Sequence, residues 1–182
     1  MQGRMSQADD NRADVHVEAH VLGDDGVFPN NPTLVLLLYR QVLDVSGSDA
    51  PERVLERFAE NRWIGGWVNG IYGFHHYHST AHEVLGIASG QARVQLGGEQ
   101  GLTATVTAGD VVVVPAGVAH KNLGAGADFT VVGAYPEGQH PDMCYGNRDE
   151  RPVTDRNIAC VPLPQFDPLA GAQGPLIYHW IT

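Results

Sequence analysis

Hydrophobic and polar positions divide the chain into three textures. Val15, Val17, Ala19 and Val21 recur at every second position, which predicts a first strand over 15–23. Asn30-Asn31-Pro32 then offers an Asn cap and a proline suited to the first helical position, followed by the apolar run Leu34 to Tyr39. A helix is expected over Thr33 to Leu43, and a buried strand is the alternative that such a continuous apolar run leaves open. Asp49-Ala50-Pro51-Glu52 reads as a capping box, with the acid three residues after the cap. Val54, Leu55 and Phe58 share one face while Glu52, Glu56 and Glu60 share the other, so an amphipathic helix is predicted over 50–62.

From Trp63 the texture becomes β-like. Strands are predicted over 71–78, 83–88, 92–96, 102–107, 111–114 and 129–135. Ala92, Val94 and Leu96 oppose Arg93 and Gln95, and Leu102, Ala104 and Val106 oppose Thr103, Thr105 and Thr107. Ser89-Gly90 and Gly97-Gly98 supply the glycines that tight turns need. Short, evenly spaced strands predict a mainly β, antiparallel sandwich or barrel, preceded here by one or two helices. After Tyr135 the chain turns irregular and proline-rich, and its aromatic end near Trp180 is expected to pack back on the body. A length of 182 residues suits one domain over 15–182, with a polar, flexible tail at 1–14, a barrel core over 63–135 and an extension over 136–182.

Composition narrows the function classes. The chain is 43% apolar and 18% charged, which suits a globular protein, and its formal charge is −10. Lys121 is the single lysine and the arginines are scattered, so a nucleic-acid partner is not expected. Leu34 to Tyr39 is too short to span a bilayer, and residues 1–14 hold no apolar signal core. A cytoplasmic protein away from membranes is expected. Cys144 and Cys160 lack Cys-x-x-Cys spacing and are expected as reduced thiols without a role.

Histidine changes the picture. The chain has 9, and His75, His76, His78 and His82 fall within one short stretch. On extended backbone, residues two apart point the same way, so His76 and His78 project together, and a turn at Ser79-Thr80-Ala81 lets Glu83 come alongside. Two imidazoles and a carboxylate on one point form a facial ligand set with coordination positions left open. The same period sends His75 and His82 to the opposite faces, as surface groups or as hydrogen-bonding neighbours of the site. Val111 to Val114 leads into Pro115-Ala116-Gly117, a turn that can fold His120 back to close the set. Tyr72 and Phe74 share the parity of His76, which favours core packing, with the wall of a ligand pocket as the alternative. Arg93 is read as a solvent-facing strand residue unless it turns inward to clamp an anionic group. Trp63 and Trp67, around Gly65-Gly66, are expected to anchor the barrel.

These residues resemble the cupin superfamily. Gly70, His76, His78, Glu83 and Gly90 match every spacing of its first motif, and Gly109, Pro115, Gly117 and His120 match its second. The closing Asn of the second motif is replaced by Gly124, with Asn122 two residues earlier. The resemblance covers residues 63–135 and is similar in compactness to single-domain bacterial members. It implies an RmlC-like jelly-roll (double-stranded β-helix) barrel with a metal at its mouth, held by His76, His78, Glu83 and His120. One divalent transition metal per chain (iron, nickel, manganese or zinc), a small-molecule substrate and a homodimer are expected from it. Dioxygenase-type chemistry is the favoured activity. A non-redox isomerase or decarboxylase and a non-catalytic small-molecule binder are the alternatives, and no catalytic residue beyond the ligands is assigned.

Overall fold

A computed structural model describes residues 16–181. The expected tail at 1–14, and Val15 at the head of the first strand, lie outside those residues. In chain order the elements are β1 (Val17–Leu22), β2 (Asn31–Tyr39), α1 (Ala50–Glu60), β3 (Trp63–Asn69), β4 (Glu83–Ser89) and β5 (Gln91–Leu96). They continue with β6 (Leu102–Thr107), β7 (Val111–Val114), β8 (His120–Ala125), β9 (Thr130–Pro136), α2 (Val153–Cys160) and α3 (Pro175–Trp180). One antiparallel sheet runs in the order β1-β2-β7-β4-β9-β3 and faces a second in the order β6-β5-β8. The fold is mainly β and antiparallel, as the strand spacing predicts.

Two hydrophobic layers explain the strand sequences. Leu36, Leu38, Leu85, Ile87, Val94, Leu96, Val112 and Val114 fill the space between the sheets. Leu37, Tyr39, Val84, Val111, Val113 and Val132 point the other way, beneath Val54 and Phe58 of α1 and Leu176 and Trp180 of α3. β2 and β7 are thus buried on both faces and read as unbroken apolar runs.

This double burial corrects the helix expected over Thr33 to Leu43, which is strand β2 up to Tyr39. The Asn31 carboxamide does accept from the backbone N–H of Leu34, 2.8 Å, and of Thr33, 3.2 Å, as a helix cap would. Pairing with β1 and β7 overrides that local signal. Among the described residues one helix, α1, therefore precedes the remaining strands. Its capping box does not form: Asp49 makes no side-chain cap and pairs with Arg53 instead.

Three further expectations need correction. Residues 71–78 are not a strand. They cross the barrel end through single bridges, His76 to His120 and Tyr77 to Cys144. A strand absent from the sequence reading, β3, precedes them and closes the sheet edge against β9. The extension is not wholly irregular, since it contains α2 and α3. It packs back through Trp180, whose indole donates to the Val35 carbonyl, 2.9 Å, and through buried Asp167, which accepts from the Tyr39 hydroxyl, 2.6 Å. Cys144 and Cys160 are free thiols.

Candidate metal centre

The site is built at one end of the space between the sheets. β4 alternates, so that Leu85 and Ile87 enter the inner layer while Val84 and Ala88 enter the outer one. Glu83, two residues before Leu85, therefore points inward. β8 pairs with β5 so that His120 lies opposite Leu96, and directly opposed residues share a face. His120 consequently points inward with Leu96. The turn before it needs Gly117, at φ +92°, where a Cβ would meet the Asn30 carbonyl oxygen at 2.4 Å.

His76 is laid beside His120 by reciprocal backbone bonds of 3.2 and 2.9 Å, and the His78 carbonyl accepts from Gly117 N–H, 2.8 Å. All three imidazoles are buried. Their ring centroids are 4.0 Å apart for His76 and His120, 5.8 Å for His76 and His78, and 5.9 Å for His78 and His120. One ligand atom from each lies within 4.8 Å of those of the others, so the three can hold a metal ion.

The proton inventory of the rings is set by their outer neighbours. His76 Nδ1 meets the Phe74 carbonyl at 3.3 Å, His120 Nδ1 meets the Val118 carbonyl at 3.2 Å, and His78 Nδ1 meets the Asp142 carbonyl. A carbonyl only accepts, so in the neutral ring each Nδ1 carries the hydrogen and each Nε2 is left as a lone pair. Glu83 Oε2 lies 3.5 Å from His78 Nε2 and 3.2 Å from His120 Nε2. Yet this buried oxygen has no aligned hydrogen-bond donor. Lone pairs turned on a carboxylate repel it unless a proton or a cation lies between them. The donor set, imidazole nitrogens with one carboxylate oxygen, fits a divalent transition metal.

A family model described as the cupin domain matches residues 67–132, which contain all of these groups. YjlB, an uncharacterized protein of Bacillus subtilis strain 168, is 39% identical over 164 residues, spanning 90% of this chain and 96% of its own. The chain belongs to the cupin superfamily. Among solved structures, the epimerase RmlC of Legionella pneumophila Philadelphia 1 aligns at 14% identity over 69% of this chain and 74% of its own, TM-score 0.39. Acireductone dioxygenase of Bacillus anthracis, with a cadmium ion in its active centre, aligns at 16% identity over 56% and 74%, TM-score 0.37. Neither reaction is transferred to this cupin from alignments so loose.

Electrostatics in the cupin site follow from burial and from the carboxylate. Burial, with the charge of His120 next, pushes His76 down to about 3. Burial alone would lower His78, but the adjacent Glu83 carboxylate outweighs it and raises the imidazole. Burial pushes Glu83 up, and His78 and His120 more than reverse that, leaving it ionised well below the usual carboxylate range.

A cavity of about 250 Å³ opens over these groups. Its walls include Trp67, Val68, Ile71, Tyr72, Leu85, Tyr135 and Met143. Tyr72 and Phe74 are not core residues. Because 71–78 leaves the sheet, both stand half-exposed at the rim, Tyr72 lining the cavity and Phe74 stacked on it at 4.9 Å. Arg93 stays outside: Ala92, Val94 and Leu96 take the inner face of β5, which turns Arg93 to the outer surface beside Thr105 and Gly124. His75 points away from the cluster to Glu99, 2.9 Å. His82 is not at the surface but buried, accepting from Ala116 N–H, 2.9 Å, with its ring against Trp180.

Trp67, expected only to anchor the barrel, also lines the cavity, and Tyr135 and Met143 join it without having been singled out. Tyr135 was accessible from the sequence, since β9 places Val131, Gly133 and Tyr135 on one face. The cavity position of Trp67 was not. A bulge between Ile64 and Trp67 reverses the parity, so that Trp63 packs in the outer layer and Trp67 turns inward. The Trp67 indole then lies over Gly133, where a Cβ would meet it at 2.1 Å, and donates to the Tyr135 hydroxyl, 2.9 Å. Met143 arrives from the extension, beyond any local pattern.

Proposed function

We propose that this cupin is a small-molecule metalloenzyme, holding one divalent transition metal through His76, His78, His120 and Glu83. The observation that carries the reading is the convergence of three buried imidazoles on the buried Glu83 oxygen, which lies 3.5 and 3.2 Å from the Nε2 atoms of His78 and His120 and has no aligned hydrogen-bond donor. The metal would supply a Lewis acid and, if redox-active, a centre for oxygen chemistry. The protein supplies the rest. Carbonyls of Phe74, Val118 and Asp142 orient the imidazoles and raise their basicity as ligands. Glu83 lowers the net charge of the centre and leaves positions free for substrate. Trp67 occupies one lone pair of the Tyr135 oxygen, which leaves the phenolic hydrogen to donate toward Glu83 or a bound ligand.

Oxygenation of a small organic substrate is the chemistry we carry forward from the family. A non-redox isomerase or decarboxylase and a non-catalytic binder are the readings it competes with. We further assign the protein to the cytoplasm, as a homodimer that covers a sheet edge, β1 being one such edge. None of the helices among the described residues is long and apolar enough to cross a membrane.

The test is elemental analysis of the purified protein, followed by oxygen uptake over a panel of small substrates with iron-loaded and zinc-loaded protein. Near-stoichiometric metal, and oxygen uptake seen with iron, absent with zinc and absent in His78→Ala, support the reading. Equal turnover with zinc and no oxygen uptake would replace it with isomerase or lyase chemistry. Metal without turnover on any substrate would leave a binder.

A further inference from the structure

The mouth of the cavity carries an aromatic surface that folding leaves uncovered. Tyr72 and Phe74 keep 50% and 47% of their surfaces exposed, and Tyr145 and Met143 keep 50% and 40%. They are contiguous. Tyr72 and Phe74 stack with planes 16° apart, Phe74 meets the Tyr145 ring at 6.0 Å, and Tyr72 meets the His76 ring edge-on at 5.1 Å. Their backbone is held in place, because the Tyr72 carbonyl accepts from Asn122 N–H, 2.8 Å. A grouped, anchored apolar patch on a soluble chain marks a contact surface. This one runs into a cavity whose wall contains further rings, Trp67 and Tyr135.

Charge narrows what fits there. Among the described residues, neither lysine nor arginine lines the cavity. Lys121 is turned to Glu99, 3.5 Å, and Arg93 faces the outer surface. Away from the metal position, a phosphate or polycarboxylate would find no guanidinium or ammonium among the described residues to balance its further charge, and an anionic group at the metal would have the Glu83 carboxylate beside it. A groove of about 340 Å³ elsewhere on the protein, beside Arg62 and Phe166, has its arginine paired with Glu137 and holds no imidazole cluster.

We infer that the substrate class is an uncharged, planar aromatic or conjugated molecule of one or two rings, bearing an oxygen donor. The ring lies against Tyr72, with Phe74 supporting it from behind, and the oxygen points to the histidine cluster. Face-to-face and edge contacts with such rings prefer a flat π-system over a puckered ring of equal size. The inference rests on the metal reading of the same site, and the two can fail separately.

The test uses three matched probes on full-length protein: 2-naphthol, its saturated analogue decahydro-2-naphthol, and 2-naphthyl phosphate. Binding is measured by calorimetry beside elemental analysis of the same preparation, for wild type, Tyr72→Leu and Phe74→Leu. Both substitutions keep apolar bulk at half-exposed positions, and their melting curves establish that they fold. We expect 2-naphthol to bind at least about tenfold tighter than either other probe, a preference Tyr72→Leu removes and Phe74→Leu reduces, with metal content unchanged. Equal binding of the saturated probe, equal binding of the phosphate, or an unaltered preference in Tyr72→Leu would overturn the inference and leave the metal reading standing. Should the protein take up no metal, the metal reading fails, and the naphthol against decahydronaphthol preference of the metal-free protein still decides the aromatic platform.

Discussion

Glu83 and Asp110 are buried alike, each 2% exposed, and they belong to opposite ends of one strand pair. Glu83 opens β4 opposite Val114, while Asp110 stands just before β7, whose Val111 faces Gly86 at the other end. Their surroundings differ in kind. Asp110 is ringed by donors: Gln41 N–H and Gln41 Nε2 at 3.0 Å on one oxygen, Thr107 N–H at 3.0 Å and Arg40 Nη1 at 3.1 Å on the other. Glu83 Oε2 lies among the Nε2 atoms of His78 and His120, 3.5 and 3.2 Å away, and has no aligned hydrogen-bond donor. A buried carboxylate satisfied by its own protein closes a fold, and one left unsatisfied among imidazoles waits for something the chain does not supply.

The largest effect that can break this contrast is at the unsatisfied end. His78→Ala should weaken metal binding by at least about 100-fold, beyond the loss typical of removing a neighbour of a ligand, read by competition with a chelating dye. Retained full occupancy would remove His78 from the centre. At the satisfied end, Asp110→Ala should cost about 3 kcal/mol, because it orphans several partly buried donors and leaves Arg40 with Glu18 and the Thr105 carbonyl. That corresponds to a melting temperature lower by roughly 6–12 °C for a chain of this size, with metal content unchanged.

Acid sharpens the contrast further. Burial pushes Asp110 up, but the bonds from Gln41, Thr107 and Arg40 outweigh it and hold the group below the usual carboxylate range. Its contribution is therefore present above an ordinary value near ~3.9 and lost as pH falls through the lower folded value. Burial lowers His82 to about 4, so the unfolded chain takes up that proton first and stability declines from ~6.5 down to about 4. Melting of metal-free protein should thus weaken on acidification, and Asp110→Ala should lessen the loss below ~3.9 without abolishing it, because other carboxylates, Asp142 among them, are also held below the usual range. The smallest effect belongs to His75→Ala, whose ring is directed to Glu99. Metal affinity there should stay within about twofold, and a loss matching that of His76→Ala would mean the register is displaced by one residue.

How far the sequence carries depends on how local each cause is. The His76–His78 pair was legible because bridged backbone at His76 and Tyr77 alternates as a strand does, although 71–78 as a whole bends at Gly73 and Phe74 and is not one. Glu83 and His120 were brought to the site by the turns legible before them, Ser79-Thr80-Ala81 and Pro115-Ala116-Gly117. The helix expected at Thr33 was a misreading of two local signals, a capping Asn31 and an apolar run, which only burial on both faces of β2 explains. Trp67 was hidden by a bulge at Gly65-Gly66, and Met143 by a return of the chain from beyond the barrel. The rim position of Tyr72 and Phe74 depends on 71–78 leaving the sheet, which no periodicity announces. Arg93 could have been placed from the start, since its neighbours Ala92 and Val94 already claim the inner face.

Glu83→Gln measured beside wild type tests the central claim most directly. The substitution keeps size and one acceptor oxygen, removes the charge, and gives the buried site a donor for the imidazole lone pairs. The metal-free variant should melt at or above the wild-type temperature, whereas metal occupancy in the same preparation should fall clearly below wild type. Unchanged occupancy would contradict the account, remove Glu83 from the coordination shell, and leave a site of His76, His78 and His120 alone.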